Sequence, residues 1–471
     1  MTVEISKSHK QGDLGTMGVY TIHGPDKMES FNKELAKHSL KSINSEKEKF
    51  EHEKWYTIAI QVCVPFFIAG CGTIGAGIVM ANVTEYKVFK EVSALYVLVP
   101  ALLGLKGNLD MCLASRLSTQ ANMGNMKSRN EMIKMVVGNI LLVQVQSIVA
   151  SCVVSVFAVS VSAIIRPNFD WIHTLLLATS STLTATMSCF VLDMVLISII
   201  LIAKKLNLNP DNMATPMAAS IGDVVSLIIL STWARLLFRI HDQYPWLMGL
   251  ILGTYVIILL PIWILIVRKN EYTKEVLAKG WTPVIIALFI SGSGGLILDH
   301  AVDNFNGYTV FQPIINGIGG NLVSVQASRT STILHRTSFR GIIPPHTKQF
   351  VSPWTALVTG VLPAKTARIL LLISIPGHIV FVLLADLIYN SGVTTVKVPF
   401  VMTYIVVGTT QLVLLLYICH IMVHTLWRYK MDPDNNAIPY LTSLGDLLGS
   451  SLLLVGFIFL KSINQEYQPD Q

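Results

Sequence analysis

Four stretches of the sequence set acid, amide and hydroxyl side chains among apolar neighbours. "GLKGNLDMCLASRLST" holds Lys106, Asn108, Asp110 and Arg116, and "NGIGGNLVSVQASRTST" holds Asn321 and Arg329. "PDNMATPMAASIGD" ends on Asp223, and "PDNNAIPYLTSLGD" on Asp446. A carboxylate inside a bilayer costs ~3 kcal/mol or more by insertion scales unless it meets water or a partner, so Asp110, Asp223 and Asp446 are functional candidates by default. A cation is the obvious compensation. The donors are oxygens of Asp, Asn, Ser and Thr with no paired Cys or His, a set that suits a hard ion such as Mg²⁺ or Ca²⁺ better than Zn²⁺ or Cu⁺. Mg²⁺ usually keeps several waters, and two or three carboxylates match a partly hydrated ion in passage. Gly104, Gly107, Gly317, Gly319 and Gly320 allow close helix approach and exposed carbonyls beside these groups.

The elements that position them are membrane helices. The chain has 471 residues, 52% apolar and 13% charged, with mean hydropathy +0.57. That is too apolar and too poor in charge for a soluble globular protein. The net charge of +7 does not point to nucleic acid, because the Lys and Arg residues lie between hydrophobic runs and report topology instead. Cys63, Cys71, Cys112, Cys152, Cys189 and Cys419 fall in apolar segments without CxxC spacing, so neither a disulfide framework nor a zinc ribbon is expected.

Runs long enough for a ~20-residue span are expected at 55–80, 93–118, 133–165, 171–203, 217–240, 245–267, 281–299, 308–334, 367–389, 398–427 and 438–460. The eighth is polar enough to be kept only because it matches the second. With the N-terminus in the cytosol, the inner side receives Lys127, Arg129, Lys134, Lys204, Lys205, Arg268, Lys269, Arg336, Arg340, Arg428 and Lys430 among others. The outer side receives only Lys87, Lys90, Arg166, Arg235, Arg239, Lys397 and Lys461, so an N-in, C-out orientation is expected. Arg235 and Arg239 are misfits. The sequon Asn82-Val83-Thr84 falls on the outer side, too near the membrane to be used.

The first two quoted stretches repeat each other. Aligning Pro100 with Pro313 pairs Gly104 with Gly317, Asn108 with Asn321, Ser115 with Ser328, Arg116 with Arg329 and Thr119 with Thr332. The two PDN stretches pair in the same way, so the chain is read as two homologous halves. Five spans per half would leave the halves inverted, but the extra span at 245–267 returns the chain and lets both insert in one direction. At ~1.5 Å per helical residue, Asn108, Asp110 and Asp223 arrive at a similar depth, as do Asn321 and Asp446, around a pseudo-two-fold axis.

The expected organisation is a largely disordered cytosolic tail (1–54), a first five-helix repeat (55–240), a linker helix and loop (241–280), a second repeat (281–460) and a C-terminal tail (461–471). The fold class is all-α, polytopic, with two parallel five-helix repeats and a linker helix.

The quoted motifs closely resemble the two repeats of solute carrier family 41, eukaryotic relatives of the bacterial MgtE-type magnesium transporters, over roughly residues 55–460. The resemblance implies a Mg²⁺ path between two five-helix units, with Asp223 and Asp446 at the ion. It also implies backbone ligands one turn earlier, at Ala219 and Thr442. Asn108, Asn321 and Asp110 complete the expected metal set. No Mg²⁺-sensing or CBS-type domain is seen in the sequence, so bacterial-style gating is not carried over. Asp110 faces Val323 across the repeat and Lys106 faces Gly319, so the pseudo-dimer is chemically asymmetric. Lys106 is expected to point away from the ion or to pair with Asp110 or Asp193.

Weaker signals have plainer readings. "GCGTIG" fits GxGxxG but follows no strand, so it is read as helix packing. His420 and His424, spaced i,i+4, are read as interfacial anchors beside Trp427 and Arg428 rather than a metal pair. Asp193 joins the ion route or bonds Lys106 or local hydroxyls. Arg116 and Arg329 bind lipid phosphates or helix ends rather than the cation.

The expected function is divalent cation transport, of Mg²⁺ first and another hard divalent ion second, by a channel or a Na⁺-coupled exchanger. It would act in the plasma membrane or an internal membrane as a monomeric pseudo-dimer, with no cofactor and no nucleic acid. An intramembrane enzyme is the rival of a different class, but HExxH, GxSxG and a repeated Ser/His pair are absent. A receptor or scaffold would leave the duplicated carboxylates without a use.

Overall fold

Apolar runs of this length fold as helices because a backbone in hydrocarbon must satisfy its own hydrogen bonds. The computed structural model describes residues 53–468, apart from 84–85, 93, 127, 166–169, 207, 303, 345–346 and 360–362. Residues 1–52 of the expected tail, Thr84 of the sequon, Lys127, Arg166 and residues 469–471 lie outside the described residues.

Eleven long helices stand among the described residues: α1 (Trp55–Val83), α2 (Ala94–Asn122), α3 (Arg129–Ile165), α4 (Trp171–Lys205), α5 (Pro210–Ile240), α6 (Pro245–Lys269), α7 (Trp281–Val302), α8 (Tyr308–Thr337), α9 (Ala364–Tyr389), α10 (Val398–Arg428) and α11 (Pro433–Ser462). There is no strand among the described residues. Eight of the helices, α1, α3, α4, α6, α7, α9, α10 and α11, are long and apolar enough to cross a membrane. The chain is therefore an all-α polytopic membrane protein. The remaining three, α2, α5 and α8, are of similar length and carry polar motifs.

Two helices begin earlier than hydropathy predicts. α5 starts at Pro210 and α11 at Pro433, where Asn209 and Asp432 accept from the backbone N–H of Asp211 and Asp434 at 3.1 and 3.2 Å. The repeated PDN motif is thus a helix start: a capping side chain, then proline at the first helical position, where its missing N–H costs nothing.

The halves exchange helices. α1 packs on α5 of its own half but also on α8 and α9 of the other, and α7 packs on α11 and reciprocally on α2 and α3. Phe66 of α1 and Phe381 of α9 meet with ring centroids 5.3 Å apart inside one apolar core. α6 touches the bundle through α3 and α4, and only 6% of its apolar window is buried, so it is peripheral. α2 and α8 run side by side in the same direction, since Ser115 meets Ser328 and Thr119 meets Thr332 at one constant offset of 213 residues. The pseudo-two-fold axis therefore runs along these helices.

Candidate functional site

Where α2, α5, α8 and α11 converge they enclose a cavity of about 130 Å³. Its polar lining is Asn108, Asp223, Asn321, Thr442 and Asp446, with Ser291, Gln312 and Asn316 beside them; Leu103, Met111, Leu227 and Leu298 contribute apolar wall. At ~30 Å³ of liquid volume per water, this is room for several waters or an ion with part of its shell. The two carboxylates come from opposite halves.

Each wall is held from behind. Thr442 Oγ1 donates to Asn108 Oδ1, tying α11 to α2 across the halves. Ser291 on α7 donates to Asp446 Oδ2 at 2.8 Å, and Gln411 Nε2 donates to the carbonyl of Gly445 at 2.8 Å. Gly104 is what permits the approach of α7: a Cβ there would meet Ser291 at 2.9 Å and Asp446 Oδ2 at 3.3 Å. Ser291 has no counterpart in either repeated motif, and its role arises only because α7 crosses between α2 and α11.

Asp110 does not line the cavity. It forms a fully buried ion pair with Lys106 at 3.1 Å, four residues earlier on α2. The ammonium packs so close to Gly222 that a side chain there would collide with it, which sets a fixed positive charge one residue from Asp223. Asp193 is fully buried within electrostatic reach of the pair. Ala219 lies one turn before Asp223 on α5.

A second polar tier crosses the axis nearer the ends of α2 and α8. Ser115 donates to Asp434 Oδ1 at 2.8 Å and Ser328 donates to Asp211 Oδ1 at 2.9 Å, with the two serine hydroxyl oxygens 3.0 Å apart. Arg116 reaches Asn435 and Arg329 reaches Asn212, at 3.0 and 2.7 Å, so each half's arginine grips the first turn of the other half's last helix. Asp211 and Asp434 stand in the repeated PDN motif, whose repetition was the signal that could have singled them out. Asp432 is held below the usual carboxylate range: burial pushes it up, but the His335 hydrogen bond and charge, with Arg340, outweigh that. His420 and His424 bind the loop after α8, through the Lys348 carbonyl and the Thr347 hydroxyl, both at 3.0 Å.

Residues 99–233 and 312–456, one segment in each half, match the MgtE family model, described as a divalent cation transporter. Solute carrier family 41 member 2 of Homo sapiens is 43% identical over 414 residues, covering 88% of this chain and 72% of that protein. Solute carrier family 41 member 3 of Rattus norvegicus is 41% identical over 401 residues, covering 84% and 86%. A solved eukaryotic MATE transporter aligns over 89% of this chain and 96% of its own, at 13% identity and a TM-score of 0.24, too low to bear on the fold.

Proposed function

Since the chain belongs to the MgtE family of divalent cation transporters, we propose that it moves Mg²⁺ through the cavity between its two halves. The observation that carries this reading is the meeting of Asp223 and Asp446, one from each half, in a single cavity whose other polar groups are amide and hydroxyl. Two carboxylates neutralise a divalent charge. Asn108, Asn321 and Thr442 then offer oxygens to the ion or to its retained waters. Carbonyls at Ala219 and Thr442, one turn before the aspartates, add neutral ligands. Asp110 acts from behind, neutralising Lys106 so that the ammonium does not repel the arriving ion.

In this reading all eleven helices cross the bilayer, the N-terminus is cytosolic, and one chain forms the whole pseudo-dimer. The membrane is the plasma membrane or an internal one. A channel and a Na⁺-coupled exchanger use the same cavity and differ in what drives the flux. Reconstituted protein tests both points: Mg²⁺ flux is measured in liposomes with and without an imposed Na⁺ gradient. Flux indifferent to Na⁺ identifies a channel, flux that requires the gradient an exchanger, and absence of Mg²⁺ flux under either condition contradicts the proposal.

A further inference from the structure

We propose a second divalent cation site, separate from the cavity, formed by His335, Asp432 and Asp434 at the end of α8 and the start of α11. It would take ions of the borderline class, such as Co²⁺, Mn²⁺ or Zn²⁺, in preference to Mg²⁺. His335 Nε2 lies 3.3 Å from Asp432 Oδ1 and 4.0 Å from Asp434 Oδ2, and all three ligand atoms fall within 4.8 Å of one another. Metal bonds of ~2.0–2.2 Å at tetrahedral or octahedral angles separate ligand atoms by roughly 3.0–3.5 Å, so a small contraction completes the set. An imidazole with two carboxylates favours borderline metals over Mg²⁺, which prefers oxygen alone.

The first half shows what these positions do without such chemistry. The residues that correspond by repeat are Asn122, Asn209 and Asp211, and there Asn122 Nδ2 donates to Asn209 Oδ1 at 3.0 Å and to Asp211 Oδ2 at 2.7 Å. Amides are enough to close the junction between these two helices. The second half keeps the geometry but replaces both amides with metal-binding groups, so the His and Asp are not needed for the junction itself.

The surroundings fit a ligand. The three residues line a polar cavity of about 400 Å³, open to Glu271 and Glu275. Trp427 holds the imidazole edge-on with ring centroids 4.8 Å apart. Arg340 occupies Asp432 Oδ2 at 2.8 Å and Ser115 occupies Asp434 Oδ1, so the oxygens facing His335 are Asp434 Oδ2 and Asp432 Oδ1, the latter also accepting from the Asp434 backbone N–H at 3.2 Å. One turn before His335, the fully buried Ser331 hydroxyl lies beside Asp434 without a well-formed hydrogen bond.

The test is Co²⁺ binding to the purified, metal-stripped full chain, read by visible absorption and by competition with Zn²⁺. His335→Asn, which installs the first half's residue, is expected to weaken Co²⁺ binding at least about tenfold, while Asp446→Asn leaves it in place. Binding lost in Asp446→Asn but kept in His335→Asn, or no binding to the wild type, overturns the proposal. If His335→Asn does not fold, His335→Cys decides: a thiolate can ligate Cd²⁺ but cannot replace an imidazolium ion pair, so Cd²⁺ binding supports the site and its absence overturns it.

Discussion

The chemistry of the cavity turns on which carboxylates face it. Asp110, Asp223 and Asp446 are equivalent as intramembrane acids, yet the structure puts the last two on the cavity and pairs the first with Lys106. The Lys106–Asp110 spacing of i,i+4 is legible in a sequence as a possible helix pair. What a sequence does not contain is the rotation of α2 about its axis, which decides between the pair and the cavity. Removing one partner of a buried ion pair costs ~3–5 kcal/mol, whereas replacing both with apolar residues is often near neutral. Lys106→Met alone should therefore lower the melting temperature clearly more than Lys106→Met combined with Asp110→Leu, in detergent thermal-shift measurements. If the single and double variants melt together, the pair is not what holds these charges. Asp110→Asn should weaken half-saturation for Mg²⁺ by unmasking Lys106, and the Lys106→Met, Asp110→Leu double variant should relieve most of that loss; a loss that the double variant does not relieve would place Asp110 on the ion itself.

Among the helices, the informative ones are those that apolarity alone would discard. α8 owes its legibility to repetition with α2, since hydropathy falls where its motif sits. The expected starts of α5 and α11, at 217 and 438, fall too late, because a capped, polar first turn lies outside the apolar run even though Asn209-Pro210 and Asp432-Pro433 announce it. Ser291 had no sequence signal, for its partner is created by helix crossing rather than spacing. The tier that joins Ser115 to Ser328 and Asp434, and Ser328 to Asp211, ties α2 and α8 to the opposite half's last helix. Any opening of a route toward that end must part these bonds. With hydroxyls 3.0 Å apart, cysteines at the same two positions are within reach of a disulfide. Ser115→Cys with Ser328→Cys should form an intramolecular crosslink under mild oxidation and lose most Mg²⁺ flux, and a reductant should restore it. A crosslinked protein that transports at the wild-type rate would show that α2 and α8 do not separate.

At the scale of the molecule, one chain imitates a parallel dimer, with α1 and α7 exchanged between halves and α6 set at the periphery. Parallel insertion needs α6 to cross the membrane, which has a direct consequence for the two ends of the chain. Cysteines introduced after Lys461 should be labelled from outside intact cells by an impermeant thiol reagent, while cysteines in the first 50 residues should require permeabilisation; both ends labelling together would remove the basis for the span count. The central claim, however, is that a divalent cation passes between Asp223 and Asp446. An isosteric amide keeps the shape of either residue and removes its charge, and a loss of ~3 kcal/mol of ion stabilisation corresponds to roughly a hundredfold. The decisive measurement is Mg²⁺ flux into liposomes containing equal amounts of folded wild type, Asp223→Asn and Asp446→Asn. Both variants should lose roughly a hundredfold of the flux at low Mg²⁺ while eluting and melting like the wild type; wild-type flux in both would contradict the account.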